Sequence, residues 1–395
     1  MLEPGTVVRD GGLLVRDGVI VEVARSEAEA SRLAEGATEV RLGRTARSSA
    51  WVTAGLVNAH AHLELTSIGP LSAEGGFGPW VGRVLEERGR KTHGELSSGV
   101  EEGARMLARS GVTAVGDIDS MGIAASVLPG LPLPALLYRE TLDARDSTRT
   151  RGALDGVTEP PGEIPSLGHG LSPHAPYTVS QELLLGLGEL AARDALPVTI
   201  HWSETADELD YMERGEGPLV SLLGPTPGIP GLDLIERAGL LRGSTSLVHG
   251  NHPRPGEAER ICTAGATLVH CPGTHLYFGR EPFPLDVYRE AGVRLALGTD
   301  SLASNQLLDM REELALFSTV FPEVPLAEVW GMATTGGAAA LGQAGRMGRI
   351  LPGHRADLCV WDLEAQEAGP ALEELVRGRP ELVESFASGR PLVSP

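Results

Sequence analysis

The chain has 395 residues, with 33 basic against 53 acidic side chains and a formal net charge of −20. That balance argues against nucleic-acid binding, which needs a basic surface to displace phosphate counterions. No apolar run is long enough to span a bilayer, and the opening residues MLEPGTVVRDGG lack the basic region and apolar stretch of a signal peptide, so a cytoplasmic protein with no membrane partner is expected. Cys262, Cys271 and Cys359 are too few and too scattered for a disulfide framework. Lys91 is the only lysine, the other 32 basic residues being arginine, so chemistry that needs a lysine must use Lys91.

Residues 1–53 read as short strands and turns: 6–8, 12–15 and 19–23 are β-rich, and Arg16-Asp17-Gly18 marks a hairpin turn. After Trp51-Val52, apolar runs alternate with helical stretches. The runs are residues 55–60, 112–117, 135–139, 167–174, 198–201, 246–249, 266–270 and 293–300. Between them, residues 180–196 place Leu183, Leu184, Leu187, Leu190 and Ala191 on one helical face behind a Thr178 or Ser180 cap. Residues 97–109 and 307–317 have similar periodicity, while 212–232 are Gly- and Pro-rich and read as an insertion or long loop that could form a lid. Eight βα units predict an α/β fold, a (β/α)8 TIM barrel of parallel strands buried on both faces. An open doubly wound sheet would want a GxGxxG first turn, which is absent. The β texture returns at 348–350, 356–362 and 392–393, so the two ends are expected to form a small β-sandwich. The predicted organisation is therefore sandwich over 1–53, barrel over 54–345 and sandwich again over 346–395.

Barrel chemistry sits at the C-terminal strand ends. There the sequence places His60 and His62, His174, His201 followed by Glu204, His249, His270 and Asp300, including six of the eleven histidines. Side chains two apart on a strand share a face, so His60 and His62 can address one cation, with His201 as a third nitrogen and Asp300 as a carboxylate. Three His and one Asp suit a divalent transition metal such as zinc. Taken singly, each has a plainer explanation: Asp300 as a helix cap, Glu204 as a cap where Ser203 or Thr205 would also serve, and His249 as a satisfied core histidine. His252 reads as loop, His93, His169 and His354 as structural, and His270 and His275 are left open between pocket and core.

As a set, residues 53–62 (TAGLVNAHAH), 199–201 with Glu204, 247–250 and 297–301 resemble the amidohydrolase superfamily, in its adenosine, guanine and S-adenosylhomocysteine deaminase and chlorohydrolase branch. The resemblance runs along nearly the whole chain, divided sandwich included. Residues 60–66, 77–80 and 172–177 are similar to segments of the aminodeoxyfutalosine deaminases of menaquinone biosynthesis. The resemblance implies one divalent ion per subunit, zinc with iron as the alternative, held by His60, His62, His201 and Asp300. Lys91 lies far from the middle strand that carries the bridging lysine of two-metal members. It further implies that His249 and Asp300 orient water, that Glu204 carries the proton to the ring, and that the substrate is a small molecule. His174, Glu64, Trp80 and Arg139 are the expected substrate contacts, Arg139 as partner of a substrate carboxylate.

Competing readings keep the barrel and change the substrate to adenosine, methylthioadenosine, S-adenosylhomocysteine or a triazine, or keep the fold as a non-catalytic scaffold. A cupin-like reading of HAHLE fails on the eight βα units. A homodimer is the default assembly.

Overall fold

Eight parallel strands follow one another around a barrel in chain order, each beside its neighbour in sequence. In the computed structural model, which describes residues 7–35, 49–162, 166–226 and 228–393, the elements run as follows. A hairpin of β1 (Gly12–Arg16) and β2 (Val19–Ala24) turns at Asp17-Gly18, as expected, and β3 (Ser49–Ala54) precedes the barrel. The barrel strands are β4 (Leu56–Ala61), β5 (Val112–Asp119), β6 (Ala135–Thr141), β7 (His169–Pro173), β8 (Val198–Trp202), β9 (Thr245–His249), β10 (Thr267–His270) and β11 (Arg294–Leu297). Then come β12 (Leu358–Leu363), β13 (Glu381–Ala387) and β14 (Arg390–Val393). Every one of the eight apolar runs overlaps a barrel strand.

The seam between β11 and β4 closes through a parallel bridge from Ala61 to Asp300, with the Asp300 amide donating to the His60 carbonyl at 3.0 Å. Gly298 makes this approach possible, because a Cβ there would lie 2.9 Å from the His60 carbonyl oxygen and 3.0 Å from its Cβ. Outward residues of the strands, such as Leu137, Ile200 and Leu247, pack with Leu107, Leu183 and Leu187 of the helical layer. Inward residues, among them Val57, Ala114, Leu136 and Tyr138, fill the lumen above Ala338 and Leu341.

The helices start where their caps require. Ser180 caps Gln181–Arg193 through the Leu183 amide, and Thr92 and Glu95 form a reciprocal capping box for His93–Arg109. The third expected helix is Met310–Val320.

Three expectations need correction. Residues 212–232 are a loop only in part: a π-helical turn (Asp210–Arg214) and the helices Leu219–Leu223 and Gly231–Arg237 interrupt the stretch, anchored by Tyr211, Leu232, Leu234 and Ile235 in the core. Residues 348–350 form no strand; Gly348 turns with φ +81 against Thr334 and delivers Ile350 to the core beneath the hairpin. Of the expected run 6–8, Thr6 lies outside the described residues and Val7 and Val8 belong to no strand.

Both chain ends do meet. β3 pairs antiparallel with β12, which pairs with β13 and that with β14, and the hairpin joins through a Val19–Arg355 bridge over Ile20, Ala54, Ile350, Ala356 and Leu358. Trp361 of β12 is wedged against Gly111, whose φ of +90 and missing side chain leave room for the indole. Among the described residues no helix is long and apolar enough to cross a membrane.

Candidate active site

A register irregularity between Asn58 and Ala61 interrupts the pairing of β4 with β5. Val57 and Ala59 fill the lumen, yet His60, one residue on, also turns inward, as a bulge allows. Its ring lies 4.9 Å from that of His62 and 5.0 Å from that of His201. One nitrogen from each of these three rings lies within 4.8 Å of the others. Asp300 Oδ1 is 3.8 Å from His60 Nε2 and 3.7 Å from His62 Nε2.

The donor set fits a divalent transition ion. Both ring nitrogens of His60 are buried without any hydrogen-bond partner, a costly state that a bound cation would relieve. Burial, then repulsion from His62, His201 and His249, holds the His60 pKa well below its usual value, so the imidazole is neutral as a ligand must be. The His201 tautomer is fixed by a 2.8 Å hydrogen bond between Nδ1 and the His174 carbonyl, which makes Nδ1 the donor and leaves Nε2 free. A second triad, Glu140, His174 and His201, is equally compact, but it shares that single free nitrogen of His201. Only one triad can hold an ion at a time, and Asp300 favours the first.

Past His201 the chain turns at Ser203 (φ 53), which swings Glu204 back towards the site. His249 (φ 78) and Asp300 (φ 56) share this left-handed backbone, so strain gathers at these strand ends. Glu204 Oε1 accepts from Arg280 Nη2 at 2.6 Å and lies 3.6 Å from His249 Nε2. Its backbone is held separately: the Glu204 amide donates to Glu208 Oε2 at 2.9 Å, and Asn251 Nδ2 donates to the Glu204 carbonyl. Burial pushes the Glu208 carboxyl up to about 8 against the pull of those backbone bonds. Thr205, not Glu204, caps the helix Ala206–Leu209, and Asp300 caps no helix, its Oδ1 accepting from the Ser301 amide. Three imidazoles, a carboxylate and a separate Glu–His pair at one barrel mouth can bind a cation and move a proton a few ångströms from it.

The sequence profile of the Amidohydrolase family matches residues 164–391. The chain belongs to the amidohydrolase family. It is 31% identical over 376 residues to a 5-methylthioadenosine/S-adenosylhomocysteine deaminase of Pyrococcus furiosus, covering 91% of this chain and 83% of the relative. To an aminodeoxyfutalosine deaminase of Deinococcus radiodurans it is 29% identical over 352 residues, covering 84% and 83%. An adenosine deaminase from Xanthomonas campestris, solved with bound zinc, superposes with a TM-score of 0.80 at 27% identity, over 98% of this chain and 89% of that one.

This amidohydrolase gathers some of the expected substrate contacts and not others. His174 stands beside the site, its ring 5.0 Å from that of His201 and its Nδ1 2.7 Å from Thr178 Oγ1; burial lowers its pKa to about 4. Glu64 is fully buried with neither oxygen paired, and burial, then Asp119, raises it to about 7. Trp80 donates to the Ala303 carbonyl at 3.0 Å and packs with Phe77 and Phe278, beside Arg280.

Arg139 is a correction. Leu136 and Tyr138 face the lumen, so Glu140 faces the site and Arg139 the helical layer, where it donates to the carbonyls of Gly156 and Glu159. It does not approach the histidines. The buried arginine of the site is Arg280, in a turn that carried no periodic signal. Asn58 was also missed, although a lone amide in an apolar strand was a readable sign. His270 stacks on Phe283 at 4.0 Å as a core histidine, and His275 Nδ1 lies 3.2 Å from Asn251 Oδ1, behind the group that holds Glu204.

Proposed function

We propose that this amidohydrolase is a divalent-metal-dependent deaminase of an adenosine-like nucleoside, with 6-amino-6-deoxyfutalosine as substrate and futalosine and ammonia as products. The observation that carries the deaminase reading is the Glu204–His249 pair, with Oε1 3.6 Å from Nε2, beside the triad of His60, His62 and His201 and the Asp300 carboxylate. A divalent ion, when bound there by His60, His62, His201 and Asp300, supplies an acidified water with a pKa near about 7. His249 and Asp300 orient the attacking water and receive its proton. Glu204 protonates the ring nitrogen next to the amino-bearing carbon and later delivers a proton to the leaving ammonia, help worth about 10²–10⁴-fold.

The aminodeoxyfutalosine assignment is supported by the similarity to the Deinococcus radiodurans enzyme and by residues 60–66, 77–80 and 172–177. The 31% identity to the Pyrococcus furiosus enzyme favours methylthioadenosine or S-adenosylhomocysteine as the second reading. Ammonia release by zinc-loaded protein, compared as kcat/KM on aminodeoxyfutalosine, adenosine, methylthioadenosine, S-adenosylhomocysteine and guanine, separates the two. A dominant value for aminodeoxyfutalosine is expected. A dominant value for methylthioadenosine refutes the substrate, and inactivity on all five refutes the deaminase. Glu204→Gln should keep its metal and lose turnover; loss of metal would make Glu204 a ligand.

A further inference from the structure

We propose that Arg280 is the positioning residue of Glu204, an inference that rests on the deaminase reading above. Glu208 and Asn251 fix the Glu204 backbone, so only side-chain rotation is left to decide where its carboxylate points. Arg280 removes that freedom by donating from Nη2 to Oε1 at 2.6 Å. Both side chains are more than nine-tenths buried, with 9% and 8% exposure. The guanidinium is itself held in place, 4.8 Å from the ring centre of Phe278 and 5.9 Å from that of Phe77.

With Oε1 engaged by Arg280 and facing His249, Oε2 is the oxygen left to give the proton to the ring nitrogen. No donor among the described residues is bonded to Oε2. Stability alone accounts poorly for the pair. A buried ion pair is weak evidence for stabilisation, and Arg280 Nη1 is buried with no partner at all. A side chain kept at the cost of an unmatched N–H is better explained by what its other nitrogen does to Glu204. The aromatic cluster of Phe77, Trp80 and Phe278 then also has a role, as the wall that holds the guanidinium over the acid.

The test is Arg280→Ala in the zinc-loaded full chain, assayed on adenosine and on carboxylate-bearing aminodeoxyfutalosine. A misplaced reacting group costs about 10²-fold, so kcat should fall by roughly that factor on whichever substrates the wild type turns over, with KM changed by less than about threefold. Zinc content per folded protein should stay near wild type, Tm should fall because a buried carboxylate is left unpaired, and added guanidinium ion should restore part of kcat. A rise in KM for the carboxylated substrate with kcat kept would overturn the proposal, because Arg280 would then bind the substrate anion. Loss of zinc or of folded protein in step with activity would overturn it too. Wild-type inactivity on every substrate refutes the deaminase reading separately. The crystal structure of zinc-loaded Arg280→Ala still decides the positioning: a displaced Glu204 carboxylate supports it, and an unmoved one overturns it.

Discussion

The seam between β4 and β11 carries three of the four expected ligands, His60, His62 and Asp300, and Asn58 holds its two sides together. Its Nδ2 donates to Thr299 Oγ1 at 2.7 Å, while its Oδ1 accepts from the amides of Thr299 at 3.2 Å and His60 at 3.3 Å. Truncation to alanine strands two N–H donors at a fully buried site. Each stranded donor costs about 1–3 kcal/mol, so Asn58→Ala should lose about 2–6 kcal/mol. Against a total stability of about 5–15 kcal/mol that is severe, so Thr299→Val serves as the milder companion, removing the partner of Asn58 Nδ2 and the 3.3 Å bond from Thr299 Oγ1 to the Asp300 carbonyl while both amide bonds to Asn58 Oδ1 stay. Because the bridge sets the spacing of His60 and Asp300, both variants should also bind zinc about 10–100-fold more weakly, the usual effect of removing a group that orients ligands. Urea unfolding of metal-free protein measures the first quantity, and zinc competition against a chromophoric chelator the second. A variant that is destabilised yet binds zinc as tightly as wild type would refute the reasoning, because the bridge would then hold the barrel without orienting the ligands.

His201→Ala should lose both metal and turnover, since it removes the shared nitrogen of both triads; a full zinc equivalent in this variant would show that the site lies elsewhere. Arg139→Ala should cost only about 0.3–1 kcal/mol, for lost capping of the helix Ser147–Thr158, and leave kcat/KM unchanged on every substrate; a fall confined to carboxylated substrates would restore it to the site. Metal-free protein should be most stable near about pH 6.5. Below that pH, the buried histidines, with His174 and His275 lowered to about 4, must charge on unfolding, so stability rises as pH rises to the usual histidine value. Glu208 and Glu313, raised from 4.5 to about 8, hold protons that the unfolded chain releases from about pH 4.5 upward; they offset part of the histidine gain below about pH 6.5 and, once that gain is complete, lower stability until about pH 8. Melting temperatures at pH 5, 6.5 and 8 test this, and Glu208→Gln should flatten the upper arm; a steady rise through pH 8 would contradict it.

The barrel was legible because its strands are buried on both faces and so read as apolar runs whatever their neighbours do. The ligands were legible because a histidine or aspartate closing such a run is conspicuous. What escaped was anything set by parity or by distant contact. The third run ends in the sequence at Arg139, but β6 continues to Thr141, and its pleat sends Glu140 rather than Arg139 to the lumen. In the tail, the spacing of Ala371, Leu372, Leu375 and Val376 was a readable helical stripe that went unused; it builds the helix Ala368–Arg377 against the core.

Arg280 is a different case. It lies ten residues beyond β10, after the short helix Pro272–Tyr277, and it reaches Glu204 only because the barrel brings the ends of β8 and β10 to one mouth. No local pattern can announce such a residue. The same mouth holds the left-handed Ser203, His249 and Asp300, the unpaired nitrogens of His60 and the unpaired oxygens of Glu64. Such features occur elsewhere too, in the left-handed Ala195 and Arg379 and the unpaired Arg242 Nε, but at this mouth they share one site, and packing around them must absorb the cost. The groups left without partners at these strand ends are the ones that a bound cation or substrate would satisfy.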